Sequence, residues 1–572
     1  MSRSAHRPPA DLPAPAVPRA ALVVLAALAV LVTAADTYVV VLALPDVLTG
    51  VGVGLDELQR ATPIIGGFLL GYTATLPLLG RLADLRGRVP VLVGCLLLFA
   101  LGSLLTATAT DLGPAVLGRG LQGVGAGGLV PATLALVADR WPPERRALPL
   151  GVVGAVQELG AVLGPLAGAA VLAVADWRAI FWLNLLLGLA LALGVLVTGR
   201  ARRPDAVGLV LAVVAATALG LRLAEPPALA EDVTLGLLYV PVAGVTPLGW
   251  VAVLAAAALV ARSLQHPAGA VLPLRGLPGL ARELDLVGSA LVVVALGTLV
   301  WAFAAADPAT EVVAHGGVLL PVAAAAAVAF VLWERRTPDP VLPLAALRPV
   351  GAWGALLVNL LVGVALVAAL VDVPLFARSL GGADQLGAAL VLVRLLVAVP
   401  VGAVLGGLLC RVVAARGVAA GGAALTAVAL AAMTRWDAQA LDGVGSTVVL
   451  AATGLGFGLA IAPVNAVLLA ATPPAVHGSA GALSVVARTV GMLVGLALLT
   501  AVALRRFTAE VGRLGSPFEL CPQTPTDCAV YERGTDAAVL TQLHTVFAGA
   551  AVAAGLAAVA ALVLLRAPRV RG

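Results

Sequence analysis

The sequence predicts an all-α protein that crosses a membrane many times, and three observations carry that expectation. The 572 residues are 61% hydrophobic and only 11% charged, against roughly 45–50% apolar and about 25% charged in soluble domains. Mean hydropathy is +1.07. Apolar runs of about 20 residues recur from Ala20 to Leu565, each long enough to cross a hydrocarbon layer roughly 30 Å thick as a helix. The runs lack the two-residue polarity alternation of a spanning strand, which excludes a β-barrel.

The same composition removes several classes of function. All 35 basic residues are arginines. Without lysine there is no phosphate-loop lysine for an ATP-driven pump contained in this chain, and no Schiff-base lysine for a pyridoxal enzyme. The five histidines, His6, His266, His315, His477 and His544, lack metalloprotease spacing, and no Gly-x-Ser-x-Gly elbow occurs. No enzyme, metal, cofactor or nucleic-acid partner is expected.

Taken in order, residues 1–19 are rich in Pro, Ala and Arg without an apolar period and read as a disordered cytoplasmic leader. The first apolar run resembles a signal-peptide core as far as Ala35, but it continues past Asp36 to Leu44 and so has the length of a full span. Sixteen spans follow from the runs: 20–44, 60–80, 88–109, 114–138, 147–174, 179–199, 206–222, 246–263, 286–305, 316–334, 351–376, 385–409, 417–434, 445–471, 480–504 and 540–565. An even count puts both termini on one side. With that side cytoplasmic, Arg81, Arg86, Arg88, Arg140, Arg145, Arg146, Arg200, Arg202, Arg203, Arg335, Arg336 and Arg348 all fall inside, as the positive-inside rule requires of a plasma-membrane protein.

The middle of the chain repeats itself. Asp205-Ala-Val-Gly opens a pair of spans that ends at Val271-Leu-Pro-Leu, and Asp285-Leu-Val-Gly opens a second that ends at Val341-Leu-Pro-Leu. Setting aside these hairpins, 205–264 and 285–334, leaves six spans in 20–199 and six in 351–566, joined by a 200–350 linker and followed by a short 567–572 tail. Six plus six is the arrangement of a transporter whose halves enclose a midplane site.

Candidate functional residues are the polar ones that this apolar chain retains. Gly80, Asp84, Arg86, Gly87 and Arg88 lie in the turn between the second and third spans, where a carboxylate can cap a facing helix N-terminus and pair with arginine. Arg119 stands on a glycine-rich fourth span, and an intramembrane arginine must face a partner or water. The fifth span carries Glu158 beside Gly160, Gly164, Pro165 and Gly168. Asp36 lies within the first span and Arg488 within the penultimate one, so Asp36, Glu158 and Arg488 are expected to meet as one arginine facing two carboxylates. Low dielectric raises the proton affinity of whichever acid is unpaired. Asp372 and Arg394, in the seventh and eighth core spans, are further candidate cavity residues. Cys521 and Cys528 flank Pro-Gln-Thr-Pro-Thr-Asp in a polar stretch, 505–538, that parity places outside the membrane, where a disulfide is reachable.

These motifs carry a resemblance. The segment from Gly80 to Arg88 resembles the loop signature of the major facilitator superfamily, where it latches one conformation closed. The run Arg119-Gly-Leu-Gln-Gly is similar to that superfamily's fourth-span motif, whose arginine is associated with proton transfer. Gly160, Gly164, Pro165 and Gly168 resemble its antiporter motif, with Ala169 where a second glycine is common. Together with Asp36-Thr-Tyr-Val-Val, Asp176-Trp-Arg, Phe181-Trp-Leu-Asn and Val485 to Gly495, they look like the actinobacterial lipid-exporting branch of the fourteen-span drug:proton antiporters. The 205–264 hairpin has no counterpart there, and the signature between the eighth and ninth core spans is eroded to Gly407–Arg411 and Gly417.

The resemblance implies a major facilitator fold with inserted central hairpins. It also implies proton-coupled export of an apolar, triacylglyceride-like lipid, with membrane lipids, protons and a periplasmic lipid-carrier lipoprotein as partners. The alternatives are a proton-coupled multidrug efflux antiporter and a transport-inactive scaffold or receptor.

Overall fold

The computed structural model describes residues 19–52, 62–143, 145–199, 205–224, 229, 232, 234–242, 245–265, 285–304, 315–337, 340, 342, 344–383, 385–521 and 528–565. The leader and tail expected from the sequence lie outside these described residues. Helices dominate, and the single extended pairing among the described residues is an isolated bridge between Val242 and Val245.

Six helices form the first half: α1 (Arg19–Gly50), α2 (Thr62–Arg86), α3 (Arg88–Ala107), α4 (Leu112–Arg140), α5 (Ala147–Leu172) and α6 (Arg178–Thr198). Two hairpins follow, α7 (Ala206–Ala224) with α8 (Pro247–Gln265), and α9 (Leu286–Ala304) with α10 (Gly316–Glu334). The second half comprises α11 (Val350–Ser379), α12 (Gln385–Leu396) and α13 (Ala398–Leu409), which form one span interrupted at Val397, then α14 (Ala415–Met433), α15 (Val444–Ala471), α16 (His477–Val511) and α17 (Ala529–Leu564). Every apolar run read from the sequence coincides with a helix. Among the described residues, eleven stretches are long and apolar enough to cross a membrane on their own, with shorter apolar helices such as Ala21–Thr37 and Ala147–Gly160 among the rest.

The halves repeat one packing scheme. In the first, α3 packs on α4, α2 on α4, α1 on α5 and α3 on α6; in the second, α14 packs on α15, α13 on α15, α11 on α16 and α14 on α17. Small residues permit these approaches. A Cβ at Gly123 of α4 would fall 2.1 Å from the Phe68 carbonyl oxygen of α2, and one at Gly491 of α16 would fall 2.0 Å from the Leu360 carbonyl oxygen of α11.

Contacts between the halves gather at one end. Gly80 of α2 abuts Gly478 of α16, and Gly151 and Ala147 of α5 abut Ala403 and Gly407 of α13. Gly80 lies beside Arg81 and Arg86, Ala147 follows Arg145 and Arg146, Gly407 precedes Arg411, and Gly478 stands in the first turn of α16 against them, so the halves close at this end.

The two hairpins are not equivalent in place. Helix α9 packs along α2 and touches α16, and Val292, Phe330 and Leu342 form a small core against Leu483 of α16. The first hairpin reaches the body mainly where α7 meets α3, with Gly220 against Leu104. Its base is tied by Asp205, whose carboxylate accepts from Arg262 Nε and, at 2.8 Å, from Arg262 Nη2. In the second copy Asp285 instead accepts from Trp333 Nε1 at 2.8 Å.

One expectation needs correction. Much of the polar stretch 505–538 is helical: α16 continues to Val511 and α17 begins at Ala529. Polarity marked where apolar character ends, and a helix that leaves the hydrocarbon can persist when a neighbour packs on it; here α16 and α17 pack on each other.

Candidate functional site

Between the halves lies a cavity of about 160 Å³ lined by Thr33 and Thr37 of α1, Phe68 and Tyr72 of α2, Gln157 and Glu158 of α5, Leu366 of α11, and Arg488 and Met492 of α16, among others. On its wall Arg488 Nη1 donates to Glu158 Oε1 at 2.9 Å, with 15% and 13% of the two side chains exposed. Backbone packing sets both groups. A Cβ on Gly160 would meet Leu31 O and Ala34 Cβ of α1 at 2.7 Å, and one on Gly363 of α11 would meet Arg488 O at 2.1 Å. The glycines thus let α5 and α16 seat their charged residues close to α1 and α11. Removing one member of such a pair leaves a nearly buried charge uncompensated, at a cost of about 3–5 kcal/mol.

Asp36 is not part of that pair. It is 1% exposed and turned off the cavity face that Thr33, Ala34 and Thr37 line. Its Oδ2 accepts from Arg119 Nη1 at 2.6 Å and its Oδ1 from Asn184 Nδ2 at 2.5 Å. Arg119 Nη1 also reaches Gln122 Oε1 at 2.8 Å, Gln122 Nε2 donates to Ser103 Oγ at 2.8 Å, and the guanidinium lies 4.4 Å from the Phe68 ring centroid. The expected group of one arginine and two acids is therefore two separate pairs. Along a helix at 100° per residue, Asp36 points roughly 60° away from Thr33 and roughly 100° away from Thr37, toward Arg119 of α4 and Asn184 of α6 and not toward α16.

At the closed end, Asp84 accepts from the Gly478 and Ser479 backbone N–H groups at 2.8 and 2.9 Å and from Ser479 Oγ at 3.0 Å. It thereby satisfies donors at the α16 N-terminus, where the helix dipole favours an anion. Arg88 Nη1 lies 2.7 Å from Asp84 Oδ1, and Arg88 Nε donates to Asp139 Oδ2 at 3.2 Å. Gly87 has φ of +90°, a conformation suited to glycine, while Arg86 is exposed.

Gly160 and Gly168 of the candidate antiporter motif face α1, Gly168 against Val39, and Gly164 is buried; α5 stays helical through Pro165. Asp372 and Arg394 do not line the cavity, contrary to expectation. Asp372 is 6% exposed on α11, and Arg394 Nη1 donates to Thr447 Oγ1 at 3.1 Å and to the Leu441 carbonyl. The cavity face of α11 is carried by Leu366 and Leu370. Cys521 and Cys528 are joined in a disulfide with Cα atoms 5.7 Å apart. Among the described residues no three His, Cys, Asp or Glu side chains gather as a metal site.

Sequence reasoning passed over the uncharged partners of these charges. Asn184, Gln122 and Ser103 complete the Asp36–Arg119 network. A second polar chain runs from Asn359 Nδ2 to Ser484 Oγ, 2.8 Å, and from Ser484 Oγ to Asn465 Oδ1, 2.5 Å. The available signal was isolation: each is a lone amide or hydroxyl in an apolar span.

Residues 26–333 match the family model described as Major Facilitator Superfamily. The chain is 36% identical to a triacylglyceride transporter of Mycolicibacterium hassiacum over 87% of its own length and 82% of that protein. It is 34% identical to one of Mycolicibacterium smegmatis, over 94% and 86%. A triacylglyceride transporter of Mycobacterium tuberculosis is also 34% identical, over 86% and 83%. Among solved structures, a human organic anion transporter superposes with a TM-score of 0.52 at 16% identity, covering 94% of this chain and 99% of that one. A proton:xylose symporter gives 0.53 at 14%, covering 94% of each.

Proposed function

Because the chain belongs to the major facilitator superfamily, in the branch of the mycobacterial triacylglyceride transporters, and is thus a multi-pass membrane transporter rather than an enzyme, we propose that it exports a triacylglyceride-like lipid by proton coupling. The observation that carries this reading is the Glu158–Arg488 pair, a titratable carboxylate bonded across the two halves on the wall of a mostly apolar cavity. While Glu158 is charged it holds Arg488, and the pair ties the first half to the second. A proton on Glu158 cancels that attraction and releases the guanidinium, so the relative position of the halves becomes linked to proton occupancy.

The arginine-rich end is assigned to the cytoplasm, with both termini there and the plasma membrane as location. The closed end, held by Asp84 on α16, is then the cytoplasmic one, and the cavity serves the outer side. The apolar part of the wall, Val30, Phe68, Leu69, Leu366, Leu370 and Met492, suits acyl chains, and Thr33, Thr37 and Thr489 beside it suit a glyceride's ester groups. The far ends of α16 and α17, with the loop between them closed by Cys521–Cys528, are the surface from which cargo would pass to a lipid-carrier lipoprotein. A second reading, efflux of cationic amphiphiles, draws on the same Glu158 carboxylate beside Phe68 and Tyr72.

Purified protein in liposomes with an imposed pH gradient decides between them. Gradient-dependent movement of a labelled triacylglyceride, lost in Glu158→Gln, is the expected result. Movement of a cationic dye without glyceride would favour the second reading, and glyceride movement indifferent to the gradient or to Glu158→Gln would overturn the coupling.

A further inference from the structure

Behind the Glu158–Arg488 pair, toward the closed end, lies a second and smaller chamber of about 20 Å³. Arg488, Gln157, Val130 and Val485 line both spaces, so the guanidinium stands at the boundary between them. The inner chamber carries neutral amides and a hydroxyl among its apolar lining residues: Asn359, Asn465 and Ser484 line it, and Asn359 and Ser484 are 7% and 5% exposed. Their bonding leaves acceptors. Asn359 donates through Nδ2 to Ser484, which keeps Oδ1 uncommitted to that bond, and Asn465 presents Oδ1 to the Ser484 hydroxyl. Among the described residues, the hydrogen bond of the Arg488 guanidinium is the one Nη1 makes to Glu158. A guanidinium has five N–H donors.

We propose that the inner chamber is the second seat of the Arg488 guanidinium, occupied when Glu158 carries a proton. The inference rests on the reading that Glu158 is the coupling carboxylate. A buried guanidinium that loses its carboxylate must find acceptors or pay for desolvation. Gln157, Asn359 and Asn465 supply neutral oxygens within the reach of a side chain that already borders the chamber. Neutral acceptors suit a second seat, because they hold the cation less strongly than a carboxylate does and so allow its return once the proton leaves.

Other charges around the pair are engaged elsewhere or stand apart from the chamber. Asp36 of α1 is bonded to Arg119 of α4, and Arg394 of α12 is bonded to Thr447 and Leu441. Asp372 of α11 does not line the chamber, and among the described residues Arg488 is its one charged lining residue.

Two measurements test this on the full-length protein. The first is a structure of Glu158→Gln, in which the carboxylate charge is permanently absent. The guanidinium should lie within hydrogen-bonding distance of the Asn359 or Asn465 side-chain oxygen; a guanidinium still beside residue 158 overturns the proposal. The second is the pH for half-maximal transport in liposomes. Asn359→Leu and Asn465→Leu, each near the native volume, take acceptors from the released cation and so penalise the protonated state. Each should move the midpoint toward acid by about one pH unit, the scale of a lost hydrogen bond to a charged group. Asn359→Asp should move it toward alkaline, because a carboxylate in the chamber draws Arg488 away and leaves Glu158 to its proton. Unchanged midpoints, or a shift of one sign in all three variants, would sink the second seat. A dead Glu158→Gln alongside unchanged asparagine variants would leave the coupling reading standing without it.

Discussion

The carboxylate of Asp84 accepts the backbone N–H of Ser479 at 2.9 Å, joining the end of the second helix of one half to the first turn of the penultimate helix of the other. Two backbone donors and a hydroxyl converge on it, so its charge is used fully in the closed arrangement.

Asp84→Asn should therefore weaken closure at this end without unfolding either half. The amide cannot accept all of these donors, and hydrogen bonds to a charged group are worth about 1.5–3 kcal/mol each. A cysteine placed at Ala482, which packs against Gly80, in a background with Cys410 replaced by serine, reports the change. Its reaction with a membrane-impermeant maleimide from the arginine-rich side should speed up in Asp84→Asn. Equal rates would contradict the latch.

Asp36→Asn should lower thermal stability. Arg119 is 1% exposed and would lose its counter-charge, a change on the order of 3–5 kcal/mol for a buried pair. Asn184→Leu, which removes one hydrogen bond to Asp36, should cost less, about 1–3 kcal/mol. Unfolding temperatures in detergent rank the two; a wild-type value for Asp36→Asn would show the network to be stabilising nothing.

Asp205 gives the first hairpin a pH dependence with a definite sign. The hydrogen bond from Arg262 holds its carboxyl below the usual 3.8. A carboxylate depressed in the folded state contributes stability that is present above its unfolded value and is lost as pH falls through the folded one. Protease resistance of the 225–246 connection should thus be unchanged from neutral pH to about pH 4 and then fall. In Asp205→Asn it should be lower at neutral pH and flat over that acid range; parallel curves would mean that the pair does not hold the hairpin base.

Deleting 205–264 with an in-frame join should leave lipid movement close to wild type, because α7 touches the body chiefly at α3. Deleting 285–334 should impair it, because α9 lies along α2 and the Leu342 core meets Leu483 beside the latch. Equal effects of the two deletions would refute this difference between the copies.

The number and order of helices were legible because each apolar run is long and bounded by arginine, proline or polar turns. Partners were less so. Helical spacing shows that Asp36 is intramembrane, but the neighbour it faces depends on how α1 is rotated against α4 and α6, which tertiary packing fixes. Opposite charge offered Arg488 both Asp36 and Glu158, and packing gives it Glu158; the amides of Asn184, Asn359 and Asn465 bear no charge to search for. The reach of α16 past Leu504 escaped notice because loss of apolar character was taken as the end of the helix.

That reach makes α16 a lever. One unbroken helix runs from the latch at Ser479 to Val511, a span of roughly 48 Å at 1.5 Å per residue. Its pivot end is gripped by Asp84, and its far part packs on α17, where Arg506 Nη1 donates to Thr545 Oγ1 at 3.3 Å. A tilt of about 5° at the grip would sweep the tip through roughly 4 Å over that length. Loosening the three hydrogen bonds at Asp84 would thereby be magnified into a displacement of several ångströms at the opposite end of the helix.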